Sequence, residues 1–234
     1  MQLFTEEKAN TKLAKGSESP YLTIGLFLSP YKENSLGVNI CPFASQACVE
    51  ACLNTAGLAS VFPKILEARR RKTDLFLADR KAFIELLRKE IVRYQKRASR
   101  LGKILAVRLN GTSDIDYPSD LFKEFPSVVW YDYTKSIYRV RKKAQGLLPS
   151  NYHLTFSYSG ENLEECKEAL SYGVNVSVVF SSEQFPSTFL GFPVSTGEES
   201  DLRFLDEPFH VIGLKAKGKA KKHPSSFVIQ IDKK

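Results

Sequence analysis

Apolar residues occur in short continuous runs, separated by longer stretches in which they recur every three or four positions. The first run, YLTIGLFL, is followed within two residues by Pro30, which is typical of a buried strand. Later runs of the same kind are KILAVRLNG, SVVWYDYT, YHLTFSYS, VNVSVVF, FHVIGLKA and SFVIQI. Each of these runs predicts a strand.

The stretches between the runs have helical periodicity. Apolar side chains at helical spacing between Thr73 and Leu101 predict a long amphipathic helix with a break near Asp79. Shorter helices are predicted over PSDLFKEF, SIYRVRKKAQG and NLEECKEALSYG. Strands that alternate with helices indicate right-handed βαβ crossovers and a parallel sheet. We expect an α/β fold in a single domain over residues 1–234, with five to six βα units forming an open sheet or a partial (β/α) barrel.

The same pattern argues against a membrane or secreted protein. None of the apolar runs approaches the roughly 20 residues that cross a bilayer. The first residues, MQLFTEEKANTKLAKG, lack the apolar core of a secretory signal. We therefore expect a cytoplasmic location and no membrane partner.

The charge balance changes the range of partners. The chain has 34 basic and 26 acidic residues, a formal net charge of +8, which would attract polyanions such as nucleic acid. The basic residues concentrate in ARRRK at 68–72 and in a loop at 215–224. Because no aromatic residues alternate with these charges as stacking surfaces would, we interpret them as a solvated helix start and a solvated loop.

The cysteines supply the clearest candidate chemistry. Cys41, Cys48 and Cys52 lie in a loop at 39–57 that follows the first predicted strand. In this loop a short helix is predicted, with Ser45 as N-cap and Gly57 as stop, so that Cys48 and Cys52 share a face. Cys166, the fourth cysteine, lies in a predicted helix and is interpreted as a small buried hydrophobe.

Three interpretations of the cysteine loop stay open. Three thiolates can hold a [4Fe–4S] cluster and leave one iron open to a small molecule. Zinc would need a fourth ligand from elsewhere, because the histidines are at positions 153, 210 and 223, all far along the chain. The third interpretation is free thiols packed in a loop. In a reducing compartment the clustering favours the cluster.

Polar residues follow the next two strands at the points where those strands end. They are Arg108, Asn110, Ser113 and Asp114 after the second strand, and Tyr131, Asp132, Tyr133 and Lys135 at the end of the third. Because parallel strands end at the same edge, we expect these side chains to face one small-molecule site beside the cysteines. The alternative is that Asn110, Asp114 and Asp132 cap the helices that follow. The segment STGEESDLRFLDEP adds an arginine among carboxylates, which is typical of an ion network.

The order of parts resembles the radical S-adenosylmethionine (SAM) superfamily, in which a three-cysteine loop follows the first strand of a partial (β/α)6 barrel. That resemblance implies a [4Fe–4S] cluster, with SAM as a candidate cofactor. The usual spacing of that superfamily is C-x3-C-x2-C, whereas this chain has C-x6-C-x3-C, and RLNGTSDIDYP stands where SAM's amino group would be held.

A closer resemblance covers nearly the whole chain. CLNTAG, RLNGTSDI, YDYTK and STGEESDLRFLDEP with the later HVIGLKAKG resemble a family of bacteriophage and bacterial gene products. This resemblance implies a viral or prophage origin, hence the host cytoplasm, and by itself no activity.

Two functions follow from these patterns. The first is an iron–sulfur protein, an enzyme of redox or radical type, with a ligand at the open iron. The alternative is a basic nucleic-acid-binding protein in which zinc or a cluster only staples the cysteine loop. The alternative predicts salt-sensitive binding that depends on Lys219, Lys221 and Lys222.

Overall fold

The structure is a computed structural model and describes residues 1–52, 59, 61–222 and 226–231. Its strands are β1 (Phe4–Glu6), β2 (Tyr21–Leu26), β3 (Ile104–Arg108), β4 (Val129–Thr134), β5 (Tyr152–Ser157), β6 (Val176–Phe180), β7 (Thr188–Phe189), β8 (Phe192–Thr196), β9 (Val211–Lys215) and β10 (Val228–Ile229). Its α-helices are α1 (Thr11–Ala14), α2 (Gln46–Glu50), α3 (Pro63–Ala78), α4 (Arg80–Arg100), α5 (Ser119–Glu124), α6 (Ile137–Ala144) and α7 (Leu163–Ser171).

The strands form one mostly parallel sheet. Its order is β1-β2-β3-β4-β5-β6-β9-β8-β7, with β10 pairing with β6. The strands from β2 to β8 in this order pair in parallel, while β1 and β7 are antiparallel at the two edges. Parallel strands end at a common edge, so the loops after β2, β3, β4, β5 and β9 meet there.

The predicted α/β class is confirmed, and each predicted strand run contains a strand. The predicted helix break is also confirmed, because α3 ends at Ala78 and the Asp79 side chain caps α4 by accepting from the Ala82 N–H at 2.9 Å. Four crossovers contain α-helices, fewer than the five to six units expected. The chain between β6 and β9 instead forms the β7–β8 hairpin, and the sheet does not close into a barrel within the described residues.

The two faces of the sheet are covered differently. On one face the apolar stripe of α4 packs against β2 to β4; its buried residues include Phe83, Leu87, Ile91, Tyr94 and Ala98. A second cluster joins α6 and α7 to β5, β6 and β9. The other face is covered beside β3 and β4 by Leu202 and Phe204. Cys166 of α7 is fully buried, as predicted.

The basic run at 68–72 is not a solvated helix start, so that interpretation is wrong. Because α3 begins at Pro63, the run lies in the middle of the helix, where one turn faces the protein interior. Lys72 is 8% exposed and donates to the Leu3 carbonyl at 2.7 Å, and the Arg69 guanidinium lies 5.3 Å from the centre of the Phe27 ring. No helix in the described part of the chain is both long and apolar enough to cross a membrane.

Candidate functional site

A cavity of about 220 Å³ lies where the parallel strands end. The predicted site residues that line it are Cys41, Cys48, Cys52, Arg108, Asn110, Ser113, Asp114, Tyr133 and Lys135. These residues come from the loop after β2 and from the ends of β3 and β4, and Ser157 adds the end of β5. The structure therefore brings the cysteine loop and most of the predicted rim together.

Cys41 is held between two loops. Its sulfur accepts from the Tyr31 N–H at 3.3 Å and lies 3.7 Å from the Thr112 carbonyl oxygen, to which the thiol donates. Burial raises the pKa of the Cys41 thiol to about 11, despite the hydrogen bond from Tyr31. The thiol is therefore protonated at neutral pH.

Cys48 is positioned by the cap of α2. The Ser45 hydroxyl oxygen accepts from the Cys48 N–H at 3.1 Å, as predicted for an N-cap. The same hydroxyl donates to the Ser159 carbonyl, which fastens α2 to the loop after β5. Cys52 follows the helix by two residues and is half-buried. Gly57, the predicted stop, lies outside the described residues.

Lys135 brings a cation to the cysteines. It is half-buried and lines the cavity beside them. Burial lowers the pKa of Lys135, but the nearby Cys48, Asp114 and Cys41 outweigh burial and raise the pKa above its usual value. A positive charge at this position offsets the negative charge of thiolates.

Arg108, the last residue of β3, is 5% exposed. Its Nη1 donates to Asp201 Oδ2 at 2.9 Å, and its guanidinium lies 4.4 Å from the centre of the Tyr133 ring. A buried ion pair and a cation–π contact therefore fix the guanidinium in one orientation.

The loop after β3 is held by its own polar side chains. Asn110 Oδ1 accepts from the Ser113 hydroxyl and from the Ile115 N–H, both at 2.8 Å. Asp114 accepts from Arg139 Nη1 at 2.7 Å and from the Lys135 N–H at 2.8 Å. These side chains line the cavity and also set the shape of its wall.

The helix-capping alternative is wrong for Asn110, Asp114 and Asp132. The N-cap residues of α5 and α6 are Pro118 and Ser136. The three polar side chains bond instead to loop residues, to side chains of β4, β5 and α6, and to one another.

Two predicted residues, Tyr131 and Asp132, do not line the cavity. Asp132 is 2% exposed and accepts from the Asn110 N–H at 2.6 Å and from the Tyr152 hydroxyl at 3.1 Å. Burial raises the pKa of Asp132, although Arg139 opposes the shift. Tyr131 packs with its ring centre 5.4 Å from that of Phe204. Both side chains support the structure around the site.

The family model of gene product 88 matches residues 3–231. The chain belongs to the gene product 88 family. This finding confirms the resemblance to a phage gene-product family, whereas nothing found supports the relation to the radical SAM superfamily. Neither a curated protein nor a solved structure matches the chain.

In this gene product 88 protein most of the described part of the basic loop at 215–224 is exposed, as expected, but some of its residues also line the cavity. Lys215, Lys217 and Ala220 line the cavity. Lys217 pairs with Glu198 at 2.7 Å, and Lys215 reaches Glu183 at 2.8 Å. Residues 223 and 224 of this loop lie outside the described residues.

Sequence reasoning missed Lys215 and Lys217 as members of this edge, whereas Glu198 belongs to the segment STGEESDLRFLDEP that it had singled out. Lys215 ends β9, so the strand-end argument used for Arg108 would have found it. Glu198 follows β8, which was not predicted because Pro193 interrupts a segment of only five residues. Glu198 has a lowered pKa because hydrogen bonds from Lys217 and the Lys215 N–H outweigh the opposing effect of burial.

In this gene product 88 protein the sulfurs do not form a single-ion site. Across the described residues, no group of three or more His, Cys, Asp or Glu side chains is arranged to hold one metal ion. The three cysteines nevertheless line one cavity. They thus share one cavity, although they do not form a group of this kind.

Proposed function

We propose that this gene product 88 protein binds a [4Fe–4S] cluster through Cys41, Cys48 and Cys52, with one iron open to a ligand in the cavity. The observation that carries the proposal is that all three cysteines line one cavity at the ends of the parallel strands. That edge of an α/β sheet is where ligands and reactive groups gather.

The number of cysteines supports a cluster over a single zinc ion. Structural zinc takes four protein ligands, whereas three cysteines can hold a [4Fe–4S] cluster. Among the described residues, the cavity is lined by three cysteines and by no histidine.

The surroundings of the sulfurs also suit a cluster. The Tyr31 N–H donates to the Cys41 sulfur, and Lys135 lies beside Cys48 and Cys41. Hydrogen bonds and positive charge near the sulfurs stabilise thiolate ligands and set the potential of a cluster. A cluster in this cavity would supply one-electron chemistry, and an open iron would bind amino, carboxylate or thiolate groups.

We also propose that the sheet and its helices form a partial (β/α) barrel. The sequential order β2-β3-β4-β5-β6-β9 is the order of a partial (β/α) barrel. An enzyme of redox or radical type is the function that this arrangement supports best, with SAM as one candidate for the ligand.

Iron and sulfide analysis with an absorption spectrum, on protein purified without oxygen, tests the proposal. Wild-type protein and Cys166→Ala should contain about four irons and four sulfides per chain, and Cys48→Ala should lose them. Cys166 is a matched control because it is a buried cysteine on α7 that does not line the cavity. Colourless protein after anaerobic reconstitution, or equal iron in Cys48→Ala, contradicts the proposal.

A second candidate is nucleic-acid binding, supported by the exposed face of α4. Lys81, Lys89, Arg93, Lys96 and Arg100 are exposed there, and the helical period of about 100° per residue places them within a third of the circumference. Such a face suits a phosphate backbone. Filter binding at two salt concentrations compares the two basic surfaces. One variant changes the α4 lysines Lys81, Lys89 and Lys96 to Gln, and the other changes Lys219, Lys221 and Lys222 to Gln. Binding that is weak and unchanged in both sets of variants contradicts this candidate.

A further inference from the structure

The Arg108 guanidinium is only partly used by the protein. Both of its hydrogen bonds to Asp201, at 2.9 and 3.3 Å, come from Nη1. The buried Nε–H has no acceptor among the described residues. The edge formed by Nε and Nη2 is the side that binds carboxylate or phosphate with two parallel hydrogen bonds.

This guanidinium is also held in advance. Asp201 is 1% exposed and fixes one end of the group, while the Tyr133 ring supports its plane at 4.4 Å. A group that is already oriented loses little freedom when a ligand binds. A buried donor without a partner is costly for the protein, so a ligand that accepts from it gains affinity.

The charges around the cavity favour an anion. Four cations line it, Arg108, Lys135, Lys215 and Lys217, against the carboxylates of Asp114 and Glu198. Asp114 is already bonded to Arg139 and Glu198 to Lys217, while Arg108 and Lys215 are paired with Asp201 and Glu183. Arg108 nevertheless keeps an unused donor edge, and Lys135 adds a further positive charge. Much of the remaining wall is apolar, with Val179, Leu214 and Phe227 among its residues. The cavity therefore combines a cationic end with an apolar wall.

We propose that the cavity binds a small molecule that carries a carboxylate or phosphate group, received side-on by Nε and Nη2 of Arg108. The inference rests on the proposed function in one respect, that this molecule is the ligand which reaches the open iron. The oxyanion site is formed by protein groups alone, so it can be measured with or without the cluster.

Calorimetric titration with inorganic phosphate and with glutarate tests the proposal, using chloride at equal ionic strength as reference. The two probes distinguish the two oxyanion sources. Wild-type protein should bind at least one probe saturably. Arg108→Lys keeps a charge for Asp201 but loses the planar edge, and it should weaken binding at least tenfold. Arg70→Lys, a change at an exposed position on α3, should have no effect.

A second variant acts in the opposite direction. Asp201→Asn removes the carboxylate that neutralises Arg108, so it should tighten probe binding several-fold. Thermal unfolding of each variant identifies any protein that has not folded. Equal affinity in wild type, Arg108→Lys and Asp201→Asn, or no saturable binding of either probe to wild type, overturns the inference.

Iron content measured on the same samples separates this inference from the proposed function. Arg108-dependent anion binding in protein that never takes up iron supports the oxyanion site and contradicts the cluster. A full cluster in protein that binds neither probe contradicts the oxyanion site and leaves the cluster standing.

Discussion

Lys72 gives a prediction that can be worked out quantitatively. Its ammonium group lies in the interior, donates to the Leu3 carbonyl and has the Glu90 carboxylate nearby. Burial lowers the pKa of Lys72 to about 8, although Glu90 opposes the shift. In the unfolded chain the pKa returns to about 10.4. The folded protein therefore holds this proton less tightly than the unfolded chain does.

The sign of the pH effect follows from this difference. Between pH 8 and about 10.4 the unfolded chain binds a proton that the folded chain has released, so the free energy of unfolding rises with pH. At about 1.36 kcal/mol per pKa unit, the gain from pH 7.5 to pH 9.5 is about 2 kcal/mol. The apolar variant Lys72→Met should lack this gain, and it should be more stable than wild type at pH 7.5.

Urea unfolding at pH 7.5 and pH 9.5 measures both effects. Lys64→Met is the matched control, because Lys64 is exposed near the start of the same helix. The control should keep the wild-type rise, which also accounts for other groups that titrate in this range. An identical rise in wild type and Lys72→Met would refute the reasoning, because the buried ammonium would then have an ordinary pKa.

Two further predictions separate structural from site residues. Asp132→Ala should lower the free energy of unfolding, measured in urea titrations, by about 3–5 kcal/mol, because Arg139 loses one of its buried carboxylate neighbours. The folded fraction of this variant should keep its iron. A variant of full stability that loses its iron would contradict this prediction. Ser45→Ala removes the N-cap of α2 and should cost about 1 kcal/mol. Because that cap also positions Cys48, Ser45→Ala should release iron to a chelator faster than wild-type protein does. Equal release rates in the two proteins would argue against this role of the cap.

The cysteine loop and part of its edge could be predicted because parallel strands end together. That rule brought Arg108, Asp114 and Lys135 beside the cysteines. It failed for Asp132 because side chains alternate along a strand. Asp132 shares a face of β4 with the core residue Trp130, while Tyr133 points to the cavity. Position along the strand matters as well, because Thr134 lines the cavity from the face of Asp132, whereas Tyr131 does not line it although it shares the face of Tyr133.

Other features depended on contacts that a linear pattern does not contain. The run ARRRK is hydrophilic by composition, yet Lys72 is buried because the Leu3 carbonyl and Glu90 meet it from other parts of the chain. The partner of Arg108 is Asp201, which lies 93 positions away in the sequence. Short strands such as β8 form because β9 provides a neighbour rather than because their own sequence favours a strand.

The pairing of β10 has a consequence for how the protein is made. Val228 and Ile229 pair with the end of β6, and Val228 packs in one cluster with Ala51, next to Cys52. During synthesis at roughly 5–20 residues per second, this wall emerges about 10–35 s after the cysteines. The nascent thiols therefore lack this wall throughout that interval and stay accessible to oxidants and, under the proposed function, to whatever delivers iron. Under the proposed function, slower synthesis of the stretch between the cysteines and β10 would leave more time for loading of a cluster.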